Sequence, residues 1–246
     1  MHNKDKVLNR LYRAVELYRE LGFEYLPLKK GDVEGFLTRK VASGASPAPQ
    51  LKEGAAVRSG NKTDGLKALR EKIGDCKRCK LSGNRNNIVF GEGAPDADIM
   101  FIGEGPGKDE DLQARPFVGE AGKLLTNLIV KLGLKREDVY IANIIKCLPP
   151  YNRNPEEDEV ASCMPFIEEQ IDMIKPKVIV CLGRVAAQAL LKVKTPISRM
   201  RGNFFRYRDI PVMPTFHPAY LLRTPKDKWL TWDDMQKVLK ELGSGV

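Results

Sequence analysis

Histidine is nearly absent from this chain: two occur in 246 residues, and one of them, His2, lies in the N-terminal tail. Any imidazole chemistry therefore rests on His217. Long apolar runs are missing too, and none reaches the roughly 18 residues that cross a bilayer. The opening MHNKDKVLNRLYR lacks the apolar core of a secretory signal, so the expected location is cytoplasmic, with no membrane partner. Neither the P-loop pattern nor the G-x-G-x-x-G fingerprint is present, which removes two common nucleotide-binding classes. No internal repeat is visible.

What is present is basic and rich in thiols. Lys and Arg number 41 against 32 Asp and Glu, a net charge of +9 that suits a polyanionic partner. Of five cysteines, Cys76 and Cys79 form a C-x2-C pair, and Cys147 and Cys163 follow far downstream. In a reducing compartment such a set binds metal or does redox work more often than it forms disulfides. Spacing alone does not separate zinc from an iron–sulfur cluster, since both take four thiolates. Cys181 sits inside an apolar run and reads as a small buried hydrophobe.

Three segments follow from the patterning. Residues 1–41 are expected to be an N-terminal helical arm, because Val7, Leu8, Leu11, Val15 and Tyr18 share one helical face. Residues 42–63, rich in Ala, Ser, Gly and Pro without periodicity, read as a flexible linker. A globular domain over 64–246 then alternates strands and helices. The strands are expected at Asp98–Gly103, Val139–Ile144, Val178–Leu182 and Val212–Phe216. The helices are expected at Gly119–Leu132, Pro155–Ile174, Arg184–Leu191 and Lys226–Leu242, with Trp229 turned inward. Pro155 suits a first helical turn and Gly133 a C-terminal stop. This alternation predicts a three-layer α/β/α sandwich around a four-stranded parallel sheet. In such sheets ligands bind beyond the carboxyl ends of the strands, where Gly103–Gly107, Asn143 and His217 fall.

Four motifs become specific together: GEGPGKDED at 103–111, RPFVGEAG at 115–122, NIIKCLPP at 143–150 and HPAYLLR at 217–223. With the cysteine pattern, they resemble the iron–sulfur uracil-DNA glycosylases of family 4 over roughly residues 66–240. The resemblance implies an enzyme that flips uracil out of single- or double-stranded DNA and hydrolyses its N-glycosidic bond, leaving an abasic site.

Carried over by residue, it assigns stacking on uracil to Phe117 and reading of its N3–H and O4 edge to Asn143. His217 would donate to O2, where negative charge collects as the base leaves. Glu104 would position water and stabilise the cationic sugar, and the Gly105 N–H would add a contact to the base. Glu110 would face C5 and exclude the methyl of thymine. Leu221 or Leu222 would wedge into the duplex, and Arg223, Arg199 and Arg201 would meet phosphates. The resemblance also favours a [4Fe–4S] cluster on Cys76, Cys79, Cys147 and Cys163.

The covalent relative that traps uracil-DNA carries a basic insert with a histidine after its second-strand motif. Here IIKCLPPYNRNPEED follows Asn143 instead. Two alternatives stay open at this stage: a glycosylase for another deaminated base such as hypoxanthine, or a catalytically silent iron–sulfur DNA-binding module. A monomer is expected. For the arm, docking to a protein partner and packing on its own domain are equally open.

Overall fold

The computed structural model describes residues 56–243. The expected helical arm and the first part of the expected linker lie outside the described residues. The first helix, α1 (Ala56–Ile73), begins inside the stretch expected to be linker, so Asp64 falls within a helix rather than at a boundary. Leu66, Leu69 and Ile73 recur at helical spacing and bury against the core, which anchors the second half of α1.

The four expected strands form the parallel centre of the sheet: β2 (Ile99–Gly103), β3 (Tyr140–Asn143), β4 (Val178–Leu182) and β6 (Ile210–Thr215), in the order β3-β2-β4-β6. Two short antiparallel strands extend the edges, β1 (Glu92–Gly93) on β3 and β5 (Phe205–Tyr207) on β6. The sheet is therefore six-stranded and mixed, a correction to the four-stranded parallel expectation. Neither edge strand has an apolar run to announce it. β1 spans two residues, and a Cβ on Gly93 would lie 1.8 Å from the Val139 carbonyl oxygen, so only glycine lets it approach β3.

Every residue of β2, β3 and β4 is buried, and the two faces alternate. Met100, Ile102, Ile179 and Cys181 meet one apolar layer, whereas Ile99, Phe101, Val178 and Val180 meet the other. The helices are α2 (Lys108–Gln113), α3 (Glu120–Lys131), α4 (Glu157–Ile174), α5 (Arg184–Leu191), α6 (Ile197–Met200), α7 (Pro218–Arg223) and α8 (Lys228–Gly243). Phe166 and Ile167 of α4 and Leu190 of α5 bury on the first face with α1. Leu125 and Ile129 of α3 and Met235 and Val238 of α8 bury on the second. Burial on both faces is why these strands read as continuous apolar runs, and the three-layer sandwich stands.

Local signals are uneven in what they set. Gly133 follows α3 with φ +80, as a helix stop requires. Pro155 lies one residue ahead of the N-cap Glu156, outside the first turn, which is closed instead by the Glu159 carboxylate on the Glu156 N–H at 2.8 Å. Trp232 packs on the second layer, while Trp229 is only half-buried. Among the described residues no helix is long and apolar enough to cross a membrane.

Candidate active site

Beyond the carboxyl ends of β2, β3 and β6 lies a cleft of about 350 Å³, large enough for a nucleobase. Glu104, Gly105, Glu110, Phe117, Asn143, His217 and Arg223 all line it, so one rim gathers residues that stand far apart in sequence.

Asn143 closes β3 with its side chain 1% exposed. Neither its Oδ1 nor its Nδ2 has a hydrogen-bond partner. Buried amides are almost always satisfied, and leaving one unpaired costs about 1–3 kcal/mol. An acceptor and a donor, side by side and buried, thus stand at the cleft wall.

Gly103 stands opposite Asn143 in the β2–β3 register. A Cβ there would lie 2.4 Å from Asn143 Oδ1 and 2.5 Å from Phe117 Cζ. The bare strand end is what lets amide and ring share the cleft. Phe117 itself is held at φ +51, a left-handed conformation uncommon for an aromatic residue. The start of α3 supports it closely, because a Cβ on Gly122 would fall 2.0 Å from the Phe117 carbonyl.

His217 caps α7. Its Nδ1 accepts the Ala219 N–H at 3.1 Å, which assigns the proton of the neutral ring to Nε2 as a free donor. Burial, aided by the nearby Arg223 charge, pushes its pKa down to about 4, while Glu110 opposes the shift. The imidazole is neutral at physiological pH. Its ring centroid lies 5.7 Å from that of Phe117. Burial moves the Glu104 carboxyl the other way, above the ordinary glutamate value, and the Arg184 charge partly offsets this.

A second cavity lies beneath the first. Cys76, Cys79, Cys147 and Cys163 all line it, together with Ile88, Phe166, Arg85 and Lys146. Cys181 is buried in β4 and takes no part. Burial pushes the Cys147 thiol up to about 12, and the neighbouring cysteines add to the shift. Basic side chains border the thiols, and burial pushes the pKa of one of them, Lys146, down to about 7. Arg85 keeps a buried terminal nitrogen, Nη1, without a partner. The Lys146 Nζ, fully buried, donates to the Asn143 carbonyl at 2.9 Å and to Gln170 Oε1 at 2.6 Å. Lys146 thus ties the thiol cavity to the backbone of the orphaned amide.

Comparison with known proteins places this arrangement. The Uracil DNA glycosylase superfamily matches residues 90–243. The Type-4 uracil-DNA glycosylase of Sulfurisphaera tokodaii is 45% identical over 184 residues, covering 71% of this chain and 84% of the relative. The chain belongs to the type-4 uracil-DNA glycosylases. Two further Type-4 uracil-DNA glycosylases are similarly near: that of Saccharolobus solfataricus at 45% (74% of this chain, 88% of the relative) and that of Thermotoga maritima at 44% (70% and 92%).

Within this type-4 framework, several expected residues stand elsewhere than the motifs suggest. Leu221 is 4% exposed and packed inward, so it is no wedge; Leu222, 42% exposed, is the leucine α7 turns outward. Arg201 is likewise withdrawn, because its guanidinium is bound to both Asp234 oxygens and to the Leu230 carbonyl. Arg199 is exposed, and Arg223 is exposed beside the cleft. Glu110 lines the cleft, yet its carboxylate is already engaged. Oε1 accepts the Val118 and Gly119 N–H groups at 2.8 and 3.0 Å, and Oε2 accepts Gly107 N–H at 3.1 Å. It braces the glycine turn against the Phe117 segment.

The parts played by Gly103, Gly122, Arg184 and Lys146 lie outside the sequence reading. Gly103, Gly122 and Lys146 stand inside the motifs, but the letters do not show the contacts that give them these parts.

Proposed function

We propose that this chain, a uracil-DNA glycosylase of DNA repair, excises uracil through the residues that wall its cleft. The unpaired Asn143 amide carries the reading, because it is a donor–acceptor fork awaiting a complementary edge. Oδ1 accepts uracil N3–H and Nδ2 donates to O4, which removes the orphan cost as the base enters. Phe117 stacks on the ring and the Gly105 N–H adds a contact. His217 Nε2–H donates to O2 as charge develops there. A neutral imidazole does this without protonating the leaving base. Glu104 orients the attacking water and stabilises the oxocarbenium-like sugar.

Glu110 acts through position. With both oxygens bound to backbone it fixes the wall that thymine's methyl would strike. Leu222 enters the gap left by the flipped base, and Arg223 and Arg199 meet phosphates.

The thiol cavity suits a [4Fe–4S] cluster on Cys76, Cys79, Cys147 and Cys163. Four cysteines share one pocket, and cluster ligation would relieve their costly buried ionisation. The unpartnered Arg85 Nη1 is available to the anion such a site requires, and the Lys146 amine borders the same cavity. When bound, the cluster ties the segment before β2 to the loop and helix after β3. Reduced thiols and a DNA substrate also fit work in the cytoplasm.

Purified protein, without added divalent metal, should cleave a uracil oligonucleotide after alkali treatment and leave its thymine twin intact. Matched hypoxanthine and cytosine strands belong in the same gel, and loss of selectivity for uracil would overturn the reading. Iron analysis of the same sample should give about four irons per chain. One zinc and no iron would refute the cluster.

A further inference from the structure

The turn after β3 carries an aromatic side chain that the fold does not use. Tyr151 is 104% exposed, as bare as a side chain in an isolated peptide. It also stands at φ +56, with Asn152 next to it at φ +55. Asparagine tolerates that left-handed region; a tyrosine there is uncommon and strained. Burial usually compensates such strain, as it does at Phe117, and Tyr151 has no burial at all.

The turn is nonetheless stiff. Pro149 and Pro150 precede Tyr151, Asn152 N–H closes on the Pro149 carbonyl at 3.0 Å, and Arg153 N–H closes on Pro150 at 3.2 Å. The Arg153 guanidinium is spent on Glu159 and on the Asn154 carbonyl, so it braces the turn. The same turn contributes Pro149, Asn152, Arg153 and Asn154 to the cleft wall. Among the described residues five large hydrophobic side chains are exposed, and Tyr151 is the barest of them, on a turn whose neighbouring residues wall the cleft.

We propose that Tyr151 is a base-stacking platform: it packs on the nucleobase adjacent to the flipped uracil and holds the opened strand. A rigid ring presented in advance loses little entropy on stacking, and every base offers a π-face, so the contact serves any flanking sequence. This inference rests on the uracil-excision reading of the neighbouring cleft.

Uracil oligonucleotides carrying 2-aminopurine on one side or the other of the uracil provide the test, with full-length protein and the variants Tyr151→Phe and Tyr151→Gly. Glycine accepts φ +56 without strain, so Tyr151→Gly should melt no lower than the parent. The parent should quench 2-aminopurine in one of the two positions, and Tyr151→Phe should keep both quenching and affinity. Tyr151→Gly should lose the quenching and bind about 5- to 160-fold more weakly, the range for one base–aromatic stack. Parental affinity and quenching in Tyr151→Gly would overturn the proposal, and so would a Tyr151→Phe variant as weak as the glycine one. Failure of the parent to release uracil from these strands would instead overturn the reading of the cleft.

Discussion

The cleft and the thiol cavity are neighbours built from one pentapeptide, yet they are opposite kinds of site. Asn143 and Ile145 face the cleft, whereas Lys146 and Cys147 face the thiols. In the cleft the fold leaves its polar groups available: an amide with no partner, an imidazole with Nε2–H free, a carboxyl beside them. Around the thiols the Lys146 amine holds two acceptors, Arg85 keeps Nη1 unpartnered, and apolar side chains close the space. One region is arranged to complete its bonding with a substrate. The other is arranged to stay closed. Within the shared segment, the orphaned amide of Asn143 marks the open side and the hydrogen-bonded Lys146 marks the closed one.

Breaking the reactive side should have the largest consequence. Glu104→Gln and His217→Ala should each slow single-turnover uracil release by about 100-fold or more while DNA affinity changes little, because the proposed roles put both groups where charge develops. Near-parental rates in both variants would place the chemistry on other residues.

Disturbing the shared frame should cost less. Gly103→Ala would drive a methyl into Asn143 Oδ1 and Phe117 Cζ at distances no carbon tolerates, so one of them must move. A displacement of an ångström costs on the order of 10- to 100-fold in rate. Iron content should stay at the parental level, since the thiols are untouched. Rapid kinetics and metal analysis on one sample check both halves, and loss of iron would mean the two sites are not separable.

The smallest effect is on pH. The glutamate must be ionised to act, and its pKa is raised by burial, so the rate should fall with acid on a limb above the ordinary glutamate value. His217, depressed to about 4, titrates below that limb. Arg184 lowers the Glu104 value, so Arg184→Met should move the limb to higher pH. A pH–rate profile that does not move would remove Arg184 from the site.

Some of this is plain in the sequence, and the rest is hidden there for physical reasons. Strands buried on both faces are continuous apolar runs, so the parallel centre and its order of helices can be read directly. Edge strands of two and three residues carry no such run, and β1 depends on a glycine contact that only three dimensions reveal. Asn143, Glu104 and His217 reach the cleft because they end a strand or follow one closely, and Phe117 reaches it from the loop ahead of α3. Their burial is another matter. Leu221 and Leu222 are adjacent letters, and only the helical phase of α7 turns one inward. Arg201 reads as a surface charge until Asp234, on α8, is seen to hold it. Glu110 reads as a pocket wall, and its role as a brace depends on three backbone N–H groups from two segments.

The central claim is that the unpaired Asn143 amide reads the base, and exchanging its donor tests it most directly. Asn143→Asp keeps the shape but replaces Nδ2–H with an acceptor, so uracil O4 would meet an oxygen. Cytosine, with N3 accepting and its 4-amino group donating, would meet a complementary edge if the carboxyl shares a proton with N3. Single-turnover excision should be measured on matched uracil and cytosine oligonucleotides. The parent should favour uracil by about 10⁴-fold, as mismatched buried polar pairs allow. The account predicts that Asn143→Asp loses most uracil excision and narrows that ratio sharply. An Asn143→Asp variant that kept the parental preference for uracil would contradict it.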